Sequence, residues 1–392
     1  MLGSATIITL THLATLKRTT SSGRTPMSAR SLLASLVLIL LVSLVTLDPG
    51  SAQSPTVIDL GTLGGLESAA YEVNNLGQVV GTSQTYDDGS GSKDRAFLWQ
   101  DGHIFDLGTL TGPDGDSSGA TDINDAGQVV GQSSNEAGNS GAFLWYEGVM
   151  IELPGLTPDN YSSFASAINN KGVAVGASYT TAACPEDQSC QHAVRWINGE
   201  VLDLGTLGGP SSIALAINER GEVVGNSYTS EGNIHAFLWN AGTMVDLGPT
   251  PDTEYSTADI INNRGRIIGF VGPLDGSSTP TSWYHGDSIR IEDLYPEMGH
   301  YDVAPQDLNE FGTIVGSYWP MGWPVMPFNA FAYSNRAFRD LSDLWGSPSV
   351  AWAVNNDGWI VGQATVAYEY PDPDDPDTIL TEWYVHAHLM IP

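Results

Sequence analysis

Apolar positions in this chain come in bursts of four to six residues, far too short for amphipathic helices. Four kinds of burst recur in order. One set is Ala214-Leu215-Ala216-Ile217-Asn218, Gly221-Glu222-Val223-Val224-Gly225, His235-Ala236-Phe237-Leu238-Trp239 and Val245-Asp246-Leu247-Gly248. Each is β-branched or aromatic and is bounded by Gly, Asn, Asp or Pro, which predicts short strands joined by tight turns. The bursts are phased by a motif, Asn-x-x-Gly-x-x-x-Gly, beginning at Asn74, Asn124, Asn169, Asn218, Asn262, Asn309 and Asn355. The intervals are 50, 45, 49, 44, 47 and 46 residues. A period near 47 built of strands points to a radial or stacked repeat.

The motif has a local reading. Asn-x-x-Gly suits the hairpin between the first and second strands, with the Asn side chain accepting a backbone N–H and the Gly supplying positive φ. The second Gly falls inside a strand, where missing bulk marks a bulge or a close backbone approach. A phosphate-cradling glycine loop does not fit, because no helix follows and there is no GxGxxG or P-loop lysine.

The chain ends settle how the repeats close. Val57-Ile58-Asp59-Leu60-Gly61 reads as a fourth strand without its first three, and Val385-His386-Ala387-His388-Leu389 as a third strand without its fourth. An array with one repeat split between its termini is a ring that ties its own ends and leaves no open sheet edge. The expected fold is therefore all-β, a seven-bladed β-propeller of four-stranded antiparallel blades. Pairing of 57–61 with 385–390 would close it; a β-solenoid has no reason to split a repeat.

Before the repeats, Arg30 precedes an apolar stretch, 32–47, followed by Asp48-Pro49-Gly50-Ser51-Ala52. This describes a secretory signal over 1–52 cleaved after Ala52, with Met27 an alternative start. The stretch is short for a membrane anchor, the other reading. The mature protein would be residues 53–392, a single propeller domain, extracellular or at the cell surface.

Charge narrows the partners. The chain carries 14 basic and 45 acidic residues, net −31. Without the leader 10 basic and 44 acidic residues remain, a formal −34. That balance argues against nucleic acid, phosphates and anionic membrane and is compatible with divalent cations, cationic ligands or neutral sugars as partners of a monomer, or with plain solubility of an extracellular protein. Cys184 and Cys190, the two cysteines, lie in a polar stretch of an exported chain and are expected to staple one loop.

The run Asp203-Leu204-Gly205-Thr206-Leu207-Gly208-Gly209, continuing through Asn218 to His235-Ala236-Phe237-Leu238-Trp239, resembles the HAF-repeat family of bacterial repeat proteins, expected to be extracellular. The resemblance spans the mature chain and weakens at Ser282-Trp283-Tyr284 and Ala330-Phe331-Ala332-Tyr333. It implies secretion and a tandem array, and it brings no catalytic residue.

Connections between first and second strands, and between third and fourth, are short and uniform. Those between second and third strands and between blades vary, and they must share the other face. Binding is expected there. Candidate ligand contacts are Tyr86, Asp87, Trp319, Trp323, Tyr368 and Tyr370, with Tyr318 beside them, aromatics suited to sugar rings or to a protein anchor. Mutual packing of these aromatics is the alternative. Asp114, Asp116, Ser118 and Asp122, with Gly119 between, set oxygen ligands at the spacing of a calcium loop, though a plain polar turn has the same composition. His300-Tyr301-Asp302 could supply an acid or base, and His386-x-His388 occupies an ordinary repeat position. The acids Asp59, Asp106, Glu152, Asp203, Asp246, Asp293 and Asp340 are read as one recurring position.

Three classes of function follow: a secreted, non-enzymatic binding module for a glycan or protein, a carbohydrate-active hydrolase or lyase at the channel mouth, and a structural envelope protein. No catalytic residue is assigned; Asp87, Glu186, Glu254 and Glu297 are the acids an enzyme would have to bring together.

Overall fold

The computed structural model describes residues 54–86, 91–112, 116–135, 138–157, 162–181, 184, 190–248, 254–273, 278–298, 301–320, 328–371 and 379–392. The segment expected to be a secretory signal, 1–52, lies outside them. Seven four-stranded antiparallel sheets form the blades of a β-propeller. Blades 1 to 6 span 64–106, 118–152, 163–205, 208–246, 255–290 and 301–340. Blade 7 joins Ser349–Val354, Ile360–Pro371 and Ile379–Ile391 to the N-terminal strand Thr56–Gly61. Thr56 pairs with Ile391, Ile58 with Leu389 and Asp59 with His388, so the two ends of the domain share one sheet.

The first strand of each blade is innermost, and the repeat motif builds its end. Asn Oδ1 accepts the N–H groups two and four residues on, as from Ala126 and Gln128 to Asn124 (3.1 and 3.0 Å). The first Gly takes positive φ, +77° at Gly127. The second Gly faces a β-bulge in the inner strand, which presses a carbonyl against it. A Cβ at Gly131 would overlap the Gly119 carbonyl, and one at Gly225 the Ile213 carbonyl. Both glycines are therefore backbone requirements.

Apolar cores lie between blades. Val80, Ala96, Leu98 and Leu107 of blade 1 pack on Ala120, Ile123, Val129 and Phe143 of blade 2. The aromatic third strand places Phe97, Phe143, Phe237 and Phe331 at zero exposure. Complete burial of such a ring contributes roughly 2–3 kcal/mol.

The recurring His–Ala–Phe stretch divides its labour. The histidine clips the third strand to the acid of the fourth: His192 Nδ1 meets Asp203, His235 meets Asp246 and His386 meets Asp59, each at 2.9 Å. Burial alone would raise Asp59 and Asp203, but the His hydrogen bond and the Gly61 or Gly205 N–H outweigh it and hold both carboxyls below their usual range. Blade 5 corrects the expected acid series. Arg290, opposite Thr281, stands where Asp106 stands opposite Phe97, and Asp293 belongs to a one-turn helix, Ile291–Leu294, that follows the strand. The alanine binds the next blade: its N–H donates to a serine Oγ on the neighbouring inner strand. The six pairs are Ala96–Ser118, Ala142–Ser163, Ala193–Ser212, Ala236–Ser256, Ala330–Ser349 and Ala387–Ser68, at 2.8–3.0 Å.

Candidate functional site

Two of the concave regions where the fold gathers polar groups are the channel mouth on the short-turn face and a cleft between blades 5 and 6 on the variable-loop face.

At the mouth, the seven motif asparagines form a closed circle. Each side-chain N–H donates to the backbone carbonyl of the next asparagine: Asn74 to Asn124, Asn124 to Asn169, Asn169 to Asn218, Asn218 to Asn262, Asn262 to Asn309, Asn309 to Asn355, and Asn355 back to Asn74. The distances run from 3.0 to 3.4 Å, the longest from blade 5 to blade 6. A second circle lies one residue on. The N–H groups of Asn75, Asp125, Asn170, Glu219, Asn263, Glu310 and Asn356 each donate to the side chain of the next member. The inner position must donate and accept at once, and only Asn stands there. The outer position need only accept, and Asn, Asp and Glu all serve. The mouth encloses about 190 Å³.

Deeper in the channel, two residues before the asparagine, Glu72, Asp122 and Asp307 occupy equivalent places in blades 1, 2 and 6. Asp122 accepts the N–H groups of Ile123 and Ile168 at 2.6 Å each, and Asp307 those of Leu308 and Val354 at 2.7 and 2.8 Å. Burial raises Asp122 to about 7 and Asp307 to about 6 in spite of those donors. Burial, reinforced by the charges of Asp307 and Asp122, drives Glu72 well above the carboxylate range. Asp259, at the bulge of blade 5, is raised by burial to about 6.

This placement corrects the calcium loop. Ser118 and Asp122 lie on one extended strand, Ser118–Ile123, roughly 13 Å apart by strand rise. Ser118 is buried, its Oγ donating to the Gly108 carbonyl and accepting from Ala96, while Asp122 is spent on the two N–H groups in the channel. A calcium loop must curl where this chain is straight. Asp116 is exposed at the strand entry, and Asp114 lies outside the described residues. Among the described residues no group of three or more His, Cys, Asp or Glu side chains is placed to hold a metal.

The cleft between blades 5 and 6 follows from three local departures from the repeat. Pro280 replaces the alanine, so no N–H is available there. Val303 replaces the serine that would receive it, pairing with Tyr318 as Ser118 pairs with Ser133. Thr281 replaces the buried phenylalanine, opposite Gly269 as Phe237 is opposite Gly225. The blade-to-blade serine bond is thus missing at this junction, and a cleft of about 450 Å³ opens instead. Phe270, Pro280, Ile291, Met298, Val303 and Ala304 line its apolar part, Trp319 stands at one side, and Ser278, Thr279, Glu292 and Asp302 supply polar groups.

The structure brings together Trp319 and Asp302, two of the residues singled out in the sequence, as cross-strand partners. Trp319 keeps 40% of its surface exposed and meets Phe328 edge-on at 5.9 Å. Asp302 is exposed; Glu292 takes a hydrogen bond from Arg290 at 3.4 Å. Tyr86 and Tyr368 are exposed but do not line this cleft; Tyr368 packs near Tyr384 and His386 on the long blade 7 hairpin. Tyr318 belongs to the core, its hydroxyl donating to Asp340 at 2.7 Å. Asp87 and Trp323 lie outside the described residues, as does the side chain of Tyr370. Cys184 and Cys190 form a disulfide, Cα–Cα 5.6 Å. Phe270, Pro280 and Glu292 were not singled out in the sequence, where only the weakened repeat at Ser282-Trp283-Tyr284 marked this blade.

No family model and no curated protein sequence matches the chain. Several solved structures resemble it in fold. The β-propeller domain of the Trilobed protease from Pyrococcus furiosus is 10% identical, with 82% of this chain and 94% of that chain covered and a TM-score of 0.49. Pyrococcus horikoshii acylaminoacyl peptidase is 12% identical over 81% of this chain and 57% of its own, TM-score 0.46. Aleuria aurantia lectin in complex with Fucα1-6GlcNAc is 11% identical over 70% and 94%, TM-score 0.38. The match covers little more than half the length of the acylaminoacyl peptidase. At these identities the likeness is one of architecture alone.

Proposed function

We propose that this protein is an exported, HAF-type propeller that binds a neutral glycan in the cleft between blades 5 and 6. The observation that carries the reading is the coincidence of a missing inter-blade bond with an exposed tryptophan and carboxylates around one cavity. The cleft volume lies in the range of small-ligand sites. Trp319 offers a face for the apolar side of a sugar ring, and Asp302, Glu292, Ser278 and Thr279 offer acceptors for its hydroxyls. Two carboxylates and no basic side chain among the cleft's lining residues disfavour an anionic sugar here and favour a neutral one.

A neutral-glycan array followed by calorimetric titration tests this. Trp319→Ala is expected to weaken binding about five- to thirtyfold, since a stacked ring is worth about 1–2 kcal/mol, with little effect on the thermal midpoint because Trp319 is half exposed. Unchanged affinity in that variant rules the site out. The same two carboxylates favour hydrolysis as the second reading. Reducing-sugar release that is lost in both Asp302→Asn and Glu292→Gln would replace binding by catalysis.

A further inference from the structure

The short-turn face carries a second groove that the repeat pattern gives no reason to expect. It lies between blades 4 and 5 and encloses about 370 Å³. Leu238, Leu247, Ile261 and Ile267 form its apolar lining, and Arg220, Arg264, Tyr284 and His285 give it polar and aromatic character. Arg220 and Arg264 hold the same place, two residues after the motif asparagine, where the other blades carry Leu76, Ala126, Lys171, Phe311 and Asp357. With Lys171 and Arg266, four of the ten basic residues after position 52 fall on the turns of three successive blades. The concentration stands out in a chain this acidic.

The local contacts shape a receptor for a single anionic group. Glu222 takes two hydrogen bonds from Arg220, at 2.7 and 3.0 Å, and is the one carboxylate among the described residues that line the groove. Arg264 is exposed, and among the described residues its side chain meets no carboxylate, so one positive charge stays unmatched. Gly265 lets the Arg220 guanidinium lie across the blade 5 turn, since a Cβ there would collide with it. The Arg266 guanidinium sits 5.2 Å above the Tyr284 ring, and that ring packs against His285 at 4.1 Å, which fixes an aromatic edge beside the unmatched charge.

We infer that this groove binds the carboxylate of an acidic sugar, a hexuronate residue of a polysaccharide. A planar guanidinium pairs a carboxylate through two parallel hydrogen bonds, the Tyr284 and His285 side chains in the lining offer polar atoms to the sugar hydroxyls, and the volume accommodates one sugar residue. The site is separate from the blade 5/6 cleft, on the opposite face, and selects the opposite ligand charge. It therefore stands or falls apart from the neutral-glycan reading.

The test is calorimetric titration of the protein with trigalacturonate and with trigalactose. Saturable trigalacturonate binding is expected, weakened about tenfold in Arg264→Gln, the loss of one charge-assisted pair, and unaffected by Trp319→Ala. Arg264 is exposed, so its replacement leaves the fold intact, which an unchanged thermal midpoint verifies. Absence of trigalacturonate binding, or equal affinity in Arg264→Gln, overturns the inference. Equal affinity for trigalactose at the same groove, judged by competition, overturns the charge selectivity on which it rests.

Discussion

Replacing one asparagine of the inner circle separates two explanations of the repeat. Asn124 is 4% exposed and its side chain makes four hydrogen bonds. Its amide donates to Gln128 Oε1 at 2.8 Å and to the Asn169 carbonyl at 3.0 Å, and its oxygen accepts from Ala126 and Gln128 at 3.1 and 3.0 Å. Asn124→Ala removes all four. At about 1 kcal/mol net each, the loss is about 3–4 kcal/mol. Asn124→Asp is the sharper variant, because Asp keeps both turn-forming acceptor bonds. It loses both donors and sets carboxylate lone pairs against the Asn169 carbonyl and Gln128 Oε1. If the circle matters, Asp costs about 3 kcal/mol, as much as Ala. If Asn124 only forms a turn, Asp is tolerated within about 0.5 kcal/mol, since Asp and Asn serve alike in such turns. Urea unfolding followed by tryptophan fluorescence measures this, with an expected midpoint shift of about 1 M for either variant. Asp125→Asn, in the acceptor-only outer circle, is the control and should be nearly neutral. An Asn124→Asp variant as stable as the parent refutes the closed-circle reasoning.

Three further outcomes follow. The channel carboxyls, raised to about 7 at Asp122 and about 6 at Asp307, contribute stability that is fully present below their unfolded values near 4 and lost as pH rises through 6 to 7. The thermal midpoint should therefore be higher at pH 5 than at pH 8. Glu72→Gln should narrow that difference, because Gln keeps an acceptor for the Val73 N–H while removing a buried carboxyl that burial and the charges of Asp307 and Asp122 hold neutral, and whose own contribution is also lost as pH rises; an unaltered difference contradicts the assignment. Asp59 and Asp203, held low, work in the opposite direction and lose their contribution only as pH falls below about 4, outside this window. Ser349→Ala should cost about 1–2 kcal/mol by stranding the buried Ala330 N–H. Conversely, Pro280→Ala with Val303→Ser should restore the missing bond, raise the unfolding midpoint and suppress binding in the cleft, measured by the same titrations as for Trp319→Ala.

What the sequence determined by itself is the ring. A motif repeated seven times, with one repeat divided between the termini, leaves little freedom in blade number or closure, because every strand needs a hydrogen-bonded neighbour on its open edge. The loops sorted onto two faces for the same reason; Trp319 stood out as an aromatic on a variable connection and Asp302 only as part of a cluster that could supply an acid or base. The tertiary structure decided which junction opens. Pro280 and Val303 are individually ordinary, and only inter-blade packing makes one the missing donor and the other the missing acceptor of the same bond. It also decided the fate of the acids. Spacing alone matched Asp122 to a calcium loop, but extended backbone carries it into the channel toward two N–H groups. Likewise, Arg220 and Arg264 are 44 residues apart in the chain, and the rotation from one blade to the next brings them to a single groove.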